Sequence, residues 1–131
     1  MRTIKRKLGD LGESLACRLL VKNGFKIIER NFLRQCGEID IISSKKNIIY
    51  FVEVKTVTRK TNIIYKKRWG EHISEENVGF LKKSRLRKVV SLYLKENKIN
   101  KDWKFMVISV YVEKLNNEKL RIKYNVLYDV L

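Results

Sequence analysis

Apolar residues recur at helical spacing over residues 10–23, where Leu11, Leu15, Leu19 and Leu20 continue a stripe begun by Leu8. Gly24 follows the last of them, where a helix ends on a left-handed residue. Residues 25–33 open with Phe25, Ile27 and Ile28 and read as a strand. Two further strands are expected at 38–43 and 48–56, joined by a polar turn, Ser44-Lys45-Lys46-Asn47. No clear period runs through 57–77, and a stretch of that length is read as a mobile basic loop. A second helix is expected over 78–97, with Leu86, Val89, Val90 and Tyr93 facing inward. Residues 105–112 are apolar on nearly both faces, which marks a central strand, and 120–127 supplies a last strand or edge element. The order α-β-β-β-α-β(β) describes one α/β domain, a mixed sheet flanked by helices.

Charge changes the picture more than composition does. The 131 residues carry 30 Lys+Arg against 14 Asp+Glu, a net charge of +16, with a pI near 10.0. The excess is shared by both halves of the chain, so it is a property of the domain and not of a tail. Such a molecule is drawn to polyanions, which makes nucleic acid the expected partner. No apolar run approaches the ~18–20 residues that span a bilayer, and the basic start leads into Leu8-Gly9-Asp10, not a signal core. A cytoplasmic protein without a membrane partner is expected. Cys17 and Cys36 form no CxxC, and His72 is the single histidine, so zinc knuckles and His-ligated hydrolases are excluded. GxGxxG and GxxxxGK[ST] nucleotide loops are absent.

The chemistry is concentrated in Gly37-Glu38-Ile39-Asp40 and Phe51-Val52-Glu53-Val54-Lys55. A turn centred on Lys46 and Asn47 sets Asp40 opposite Glu53 and Glu38 opposite Lys55, all on one face. Opposed Cβ atoms lie ~4.5–5.5 Å apart, close enough for two carboxylates to grip one cation. Without it they repel by up to about 4 kcal/mol at an effective dielectric of 20 and 4 Å separation. Oxygen ligands without His or Cys select Mg²⁺ or Mn²⁺. Lys55 then positions water or offsets charge on a phosphate. The competing reading is a Glu38–Lys55 cross-strand pair with Asp40 and Glu53 in solvent, an arrangement worth little to stability.

Taken together, Gly9-x-x-Gly12-Glu13-x-x-Ala16, Asn23-Gly24-Phe25, Arg30-Asn31-Phe32-x-Arg34, Gly37-Glu38-Ile39-Asp40-Ile41-Ile42 and Phe51-Val52-Glu53-Val54-Lys55 resemble the YraN-like family of small bacterial proteins. The match is strong from Gly9 to Lys55 and weaker at Val78-x-x-x-Lys82-x-x-x-Leu86. That family is grouped with Holliday-junction-resolvase-like nucleases in the restriction-endonuclease-like (PD-(D/E)xK) superfamily. The resemblance implies a restriction-endonuclease-like mixed sheet between helices, with Glu13, Asp40, Glu53 and Lys55 at the active-site positions. It departs at Val57, where members often carry Arg, and at Met106, where many have Asp. The function it implies is Mg²⁺- or Mn²⁺-dependent hydrolysis of DNA, branched or single-stranded substrates included, with a homodimer as in resolvases. The alternative is a non-catalytic nucleic-acid-binding module on the same fold.

The catalytic set is therefore Glu13, Asp40, Glu53 and Lys55, with Asp40, Glu53 and Glu13 as metal ligands. Glu13 also reads as part of a capping box with Asp10. Arg34, Lys66, Lys67, Arg68, Lys82, Lys83 and Arg87 are the candidate contacts to nucleic acid. Lys82 reads equally as a lysine snorkelling from an apolar stripe. Trp69 is read as a partly buried anchor or a base-stacking platform, and His72 as incidental.

Overall fold

The computed structural model describes residues 4–58, 64–65, 80–129 and 131. In chain order the elements are α1 (Ile4–Lys22), β1 (Lys26–Arg34), β2 (Gly37–Lys45), β3 (Ile48–Thr58), β4 (Ile64–Tyr65), α2 (Phe80–Glu96), β5 (Trp103–Lys114) and β6 (Leu120–Asp129). The sheet runs β1-β2-β3-β5-β6, with β4 added beside β3. All neighbours are antiparallel except β3 and β5, which run parallel from Ile49↔Trp103 to Thr58↔Val112. The parallel pair needs a crossover, and α2 supplies it. This is the mixed sheet flanked by helices that the element order implies. No helix among the described residues is long and apolar enough to cross a membrane.

Helix α1 begins six residues before the expected start at Asp10. The basic stretch before Leu8 is made of good helix formers and carries the stripe back a turn. Glu13 therefore lies mid-helix, and the capping-box reading falls. The other end is as expected. Gly24 takes φ 88°, Phe25 N–H donates to Leu20 O at 2.9 Å and Gly24 N–H to Val21 O at 3.1 Å, a Schellman termination. Gly12 has a different purpose, close approach of α1 to β3. A Cβ built on it would meet Thr56 Oγ1 at 1.8 Å. Gly12→Ala is expected to cost about 1–3 kcal/mol by urea denaturation, with Thr56→Ala in the same chain restoring part of the loss.

Lys46 and Asn47 both have positive φ, 49° and 66°, as a two-residue type I′ hairpin demands. Strand β3 runs on through Val57 and Thr58, and Ile64–Tyr65 pairs back onto it at Thr56↔Tyr65 and Val57↔Ile64. The expected 57–77 loop is thus partly sheet, because β-branched Thr56, Val57 and Thr58 extend the strand. Lys66, Lys67, Arg68, Trp69 and His72 lie outside the described residues. Helix α2 closes with Ile99 N–H donating to Leu94 O at 2.9 Å and Lys98 at φ 50°, a left-handed position held by a non-glycine residue. Lys98→Gly is expected to raise stability by up to about 1 kcal/mol, read as an increase in Tm.

Strands β2 and β3 are buried along most of their length because a helix covers each face of the sheet. On the α1 side, Ala16 and Leu20 pack with Ile41, Val52, Val54, Met106 and Ile108. On the α2 side, Leu86, Val89, Val90 and Tyr93 pack with Phe32, Ile39, Ile42, Phe51, Phe105 and Val107. Met106, where the resemblance departs, is a core residue.

Candidate active site

Among the described residues, five acidic or basic side chains lie inside the protein: Glu13, Asp40, Glu53, Lys55 and Lys82 are each no more than 4% exposed. Charged residues are almost never buried to this extent unless paired, and clusters of them mark functional sites. Four of them, Asp40, Glu53, Lys55 and Lys82, meet on β3 where, among the described residues, one of its edges has no ladder partner.

Pairing with β2 occupies that edge from Ile48 to Val52, and pairing with β4 resumes at Thr56. Residues 53–55 lie between. The register is the expected one, Lys45↔Ile48 through Ile41↔Val52, but the ladder ends one pair short of Asp40 and Glu53. The expected opposition of Asp40 with Glu53, and of Glu38 with Lys55, is therefore not made through the sheet. Instead Asp40 Oδ2 accepts the Val54 N–H at 2.8 Å, so the side chain takes the place of a backbone partner. Its carboxylate lies against the peptide between Glu53 and Val54.

The cause is a slip in side-chain alternation. Ile39 and Ile42 both pack on the α2 side while Ile41 packs on the α1 side, so the pattern changes phase at Asp40. In β1 the pairs Arg30↔Ile41 and Phe32↔Ile39 flank Asn31, which takes φ 53° in mid-strand. Asn tolerates the left-handed region better than most residues. Asn31→Gly is expected to keep the fold. Asn31→Val is expected to cost about 1–2 kcal/mol and to shift the Val54 amide resonance, because the phase change that delivers Asp40 is lost.

Strand β3 then presents Glu53 and Lys55. Glu53 faces α2, where Lys82 Nζ lies 2.8 Å from its Oε2. Lys82 was expected as a nucleic-acid contact or a snorkelling lysine; it does not snorkel, because it opens the inward stripe that continues with Leu86, Val89 and Tyr93. Glu13 is on α1, with Arg30 Nη2 at 3.8 Å from its Oε1. Cys17 sits nearby, its thiol pushed up chiefly by burial, against which Arg30 pulls down and Glu13 adds a smaller push upward. Both cysteines are free thiols.

The donor set is all carboxylate and suits a hard divalent ion. Among the described residues, no three His, Cys, Asp or Glu side chains are grouped to hold an ion by themselves. Glu13 therefore does not complete the expected three-acid cluster. An ion held by Asp40 and Glu53 alone would take its remaining ligands from water and phosphate, the usual habit of Mg²⁺.

The expected nucleic-acid contacts separate. Arg34 is committed to α2, its Nε and Nη2 donating to Glu96 at 3.0 and 2.6 Å while its guanidinium covers the Phe32 ring. That fork holds the Glu96 carboxyl below its ordinary range. Lys83 reaches Asp129 of β6 at 3.5 Å, and Arg87 is exposed on α2. One residue escaped the sequence reading. Arg85 lines a cleft of about 440 Å³ with Gln35, Cys36, Gly37, Glu38, Lys82, Leu86 and Val89. Its signal was present in the sequence, since it lies three residues after Lys82 on the same side of α2.

Residues 12–110 match the model of the uncharacterised protein family UPF0102. A UPF0102 protein of Caldanaerobacter subterraneus subsp. tengcongensis is 36% identical over 120 residues, 91% of this chain and 88% of its own. One from Acetivibrio thermocellus is 38% identical over 117 residues, covering 87% and 82%. One from Syntrophomonas wolfei is 41% identical over 111 residues, covering 84% and 89%.

Proposed function

This chain belongs to the uncharacterised protein family UPF0102, and we propose that it is a cytoplasmic, metal-dependent endonuclease acting on DNA. The observation that carries the reading is the buried set Asp40, Glu53 and Lys55 beside the stretch of β3 that lies, among the described residues, between its pairings with β2 and β4. Burying three such groups together is costly unless they do chemistry, and a carboxylate pair beside a lysine suits phosphodiester hydrolysis. Asp40 and Glu53 would hold Mg²⁺ or Mn²⁺, which when bound polarises a phosphoryl oxygen and lowers the pKa of water. Asp40 keeps its orientation through the Val54 N–H. Lys55, inside the protein where charge is weakly screened, stabilises negative charge that builds on the phosphate. Glu13, on the α1 side, adds negative field toward the cation.

The +16 charge supports a polyanionic substrate. Affinity for duplex DNA is expected to fall with salt, with a log–log slope of about −4 or steeper, since each phosphate contact contributes near −0.9. Salt-independent binding would remove DNA as the substrate.

One observation favours a second reading. Lys82 already neutralises Glu53 at 2.8 Å, as it would in a module that binds DNA without cutting it. Incubation with branched, duplex and single-stranded DNA in Mg²⁺ and Mn²⁺ decides between them. Nicking that EDTA abolishes is the expected result; tight binding with no nicking on any substrate leaves the binding module.

A further inference from the structure

The geometry points to Lys82 as an exchangeable counter-cation, holding the ion position on Glu53 until a divalent metal displaces it into the adjoining cleft to meet a phosphate. This rests on the metal-dependent reading above. An inward helix stripe normally carries apolar residues, and α2 does so at Leu86, Val89, Val90 and Tyr93. At the first position of that stripe stands a lysine that does not snorkel: its Nζ is 2.8 Å from Glu53 Oε2, with both side chains at most 5% exposed. A buried ion pair gains little over apolar residues of the same size, so packing gives no reason for it. Charge compensation at Glu53 does. A carboxylate that must accept a cation in use needs another in its absence.

Exchange requires somewhere for the ammonium to go. Lys82 also lines the 440 Å³ cleft that opens between α2 and the β1–β2 turn. Rotation about its side-chain bonds moves Nζ toward that cleft without moving the helix. Arg85 lines the same cleft and supplies the second cation of a phosphate clamp, and the Glu38 carboxylate supplies an alternative partner when no nucleic acid is bound. A divalent ion and an ammonium repel each other on one carboxylate, so metal loading drives Lys82 outward. Metal and DNA then bind cooperatively, each raising affinity for the other by the same factor.

The test uses the full chain with Mn²⁺ alone, followed by calorimetry, for wild type, Lys82→Met, Lys82→Gln and Glu53→Gln. Both Lys82 variants are expected to bind Mn²⁺ at least ten-fold more tightly than wild type, and Glu53→Gln to lose binding. Lys82→Gln is read if Lys82→Met does not fold. In wild type labelled with ¹³C-lysine, the Lys82 Cε resonance is expected to move on Mg²⁺ addition. Duplex affinity in Ca²⁺ is expected to exceed that in EDTA at least five-fold at matched ionic strength, a gain absent from both variants. Equal Mn²⁺ affinity in wild type and variants, or a Lys82 resonance that Mg²⁺ leaves in place, overturns the exchange while leaving the metal site standing. Mn²⁺ binding by neither wild type nor the Lys82 variants overturns the metal-dependent reading itself.

Discussion

Asp40→Asn is expected to lower Mg²⁺-dependent cleavage about 10³-fold, equivalent to ~4 kcal/mol of transition-state stabilisation. The substitution keeps an oxygen that can accept the Val54 N–H, as Oδ2 does now at 2.8 Å, so the fold survives. Asp40→Ala removes that acceptor as well and leaves a buried N–H without its partner, for a further ~1–3 kcal/mol of stability. Comparing the two by cleavage assay and urea titration separates chemistry from folding. Lys55→Met keeps most of the side-chain volume and is expected to reduce cleavage by about 10²-fold or more. Affinity for DNA in EDTA is expected to stay level or rise for Asp40→Asn, since one negative charge near the phosphate is gone. Cleavage unchanged by either substitution would defeat the assignment of both residues.

The second large effect is on stability. Glu53→Leu leaves the Lys82 ammonium buried without the carboxylate 2.8 Å away, and is expected to cost about 3 kcal/mol or more in urea. Adding Lys82→Met to Glu53→Leu removes the stranded charge and is expected to recover most of that loss, with a double-mutant coupling of at least ~2 kcal/mol. The two residues belong to α2 and β3, so such a coupling would also report the docking of α2 on the sheet. A single-variant cost below about 1 kcal/mol would mean that the freed ammonium turns out into the adjoining cleft and is not stranded. The double variant would be stable and inactive, the trade that charged sites commonly make.

Much of this molecule was legible in its sequence because the deciding interactions are local. The apolar stripes placed both helices, Gly24 marked the end of α1, and Lys46-Asn47 dictated a two-residue hairpin whose register followed. The residue types at the site were legible too: Asp40, Glu53 and Lys55 stand on adjacent strands within reach of one hairpin, and their chemistry follows from carboxylate and ammonium. Three things were decided only by packing. Asn31 at φ 53° and the phase change at Asp40 depend on β1 and β2 adjusting to each other, which no periodicity within either strand encodes. Residues 53–55 lie between two partners because β2 leaves β3 after Val52 and β4 pairs with it from Thr56 among the described residues, a matter of long-range pairing. Lys82 meets Glu53 because α2 crosses the sheet above it, 29 positions away in the chain. Backbone propensity and alternation act over a few residues, so sequence determines elements and the identity of the reactive groups. Which groups are buried together, and which cation a carboxylate holds, is set by the distance of closest approach between elements, and only the folded chain has that.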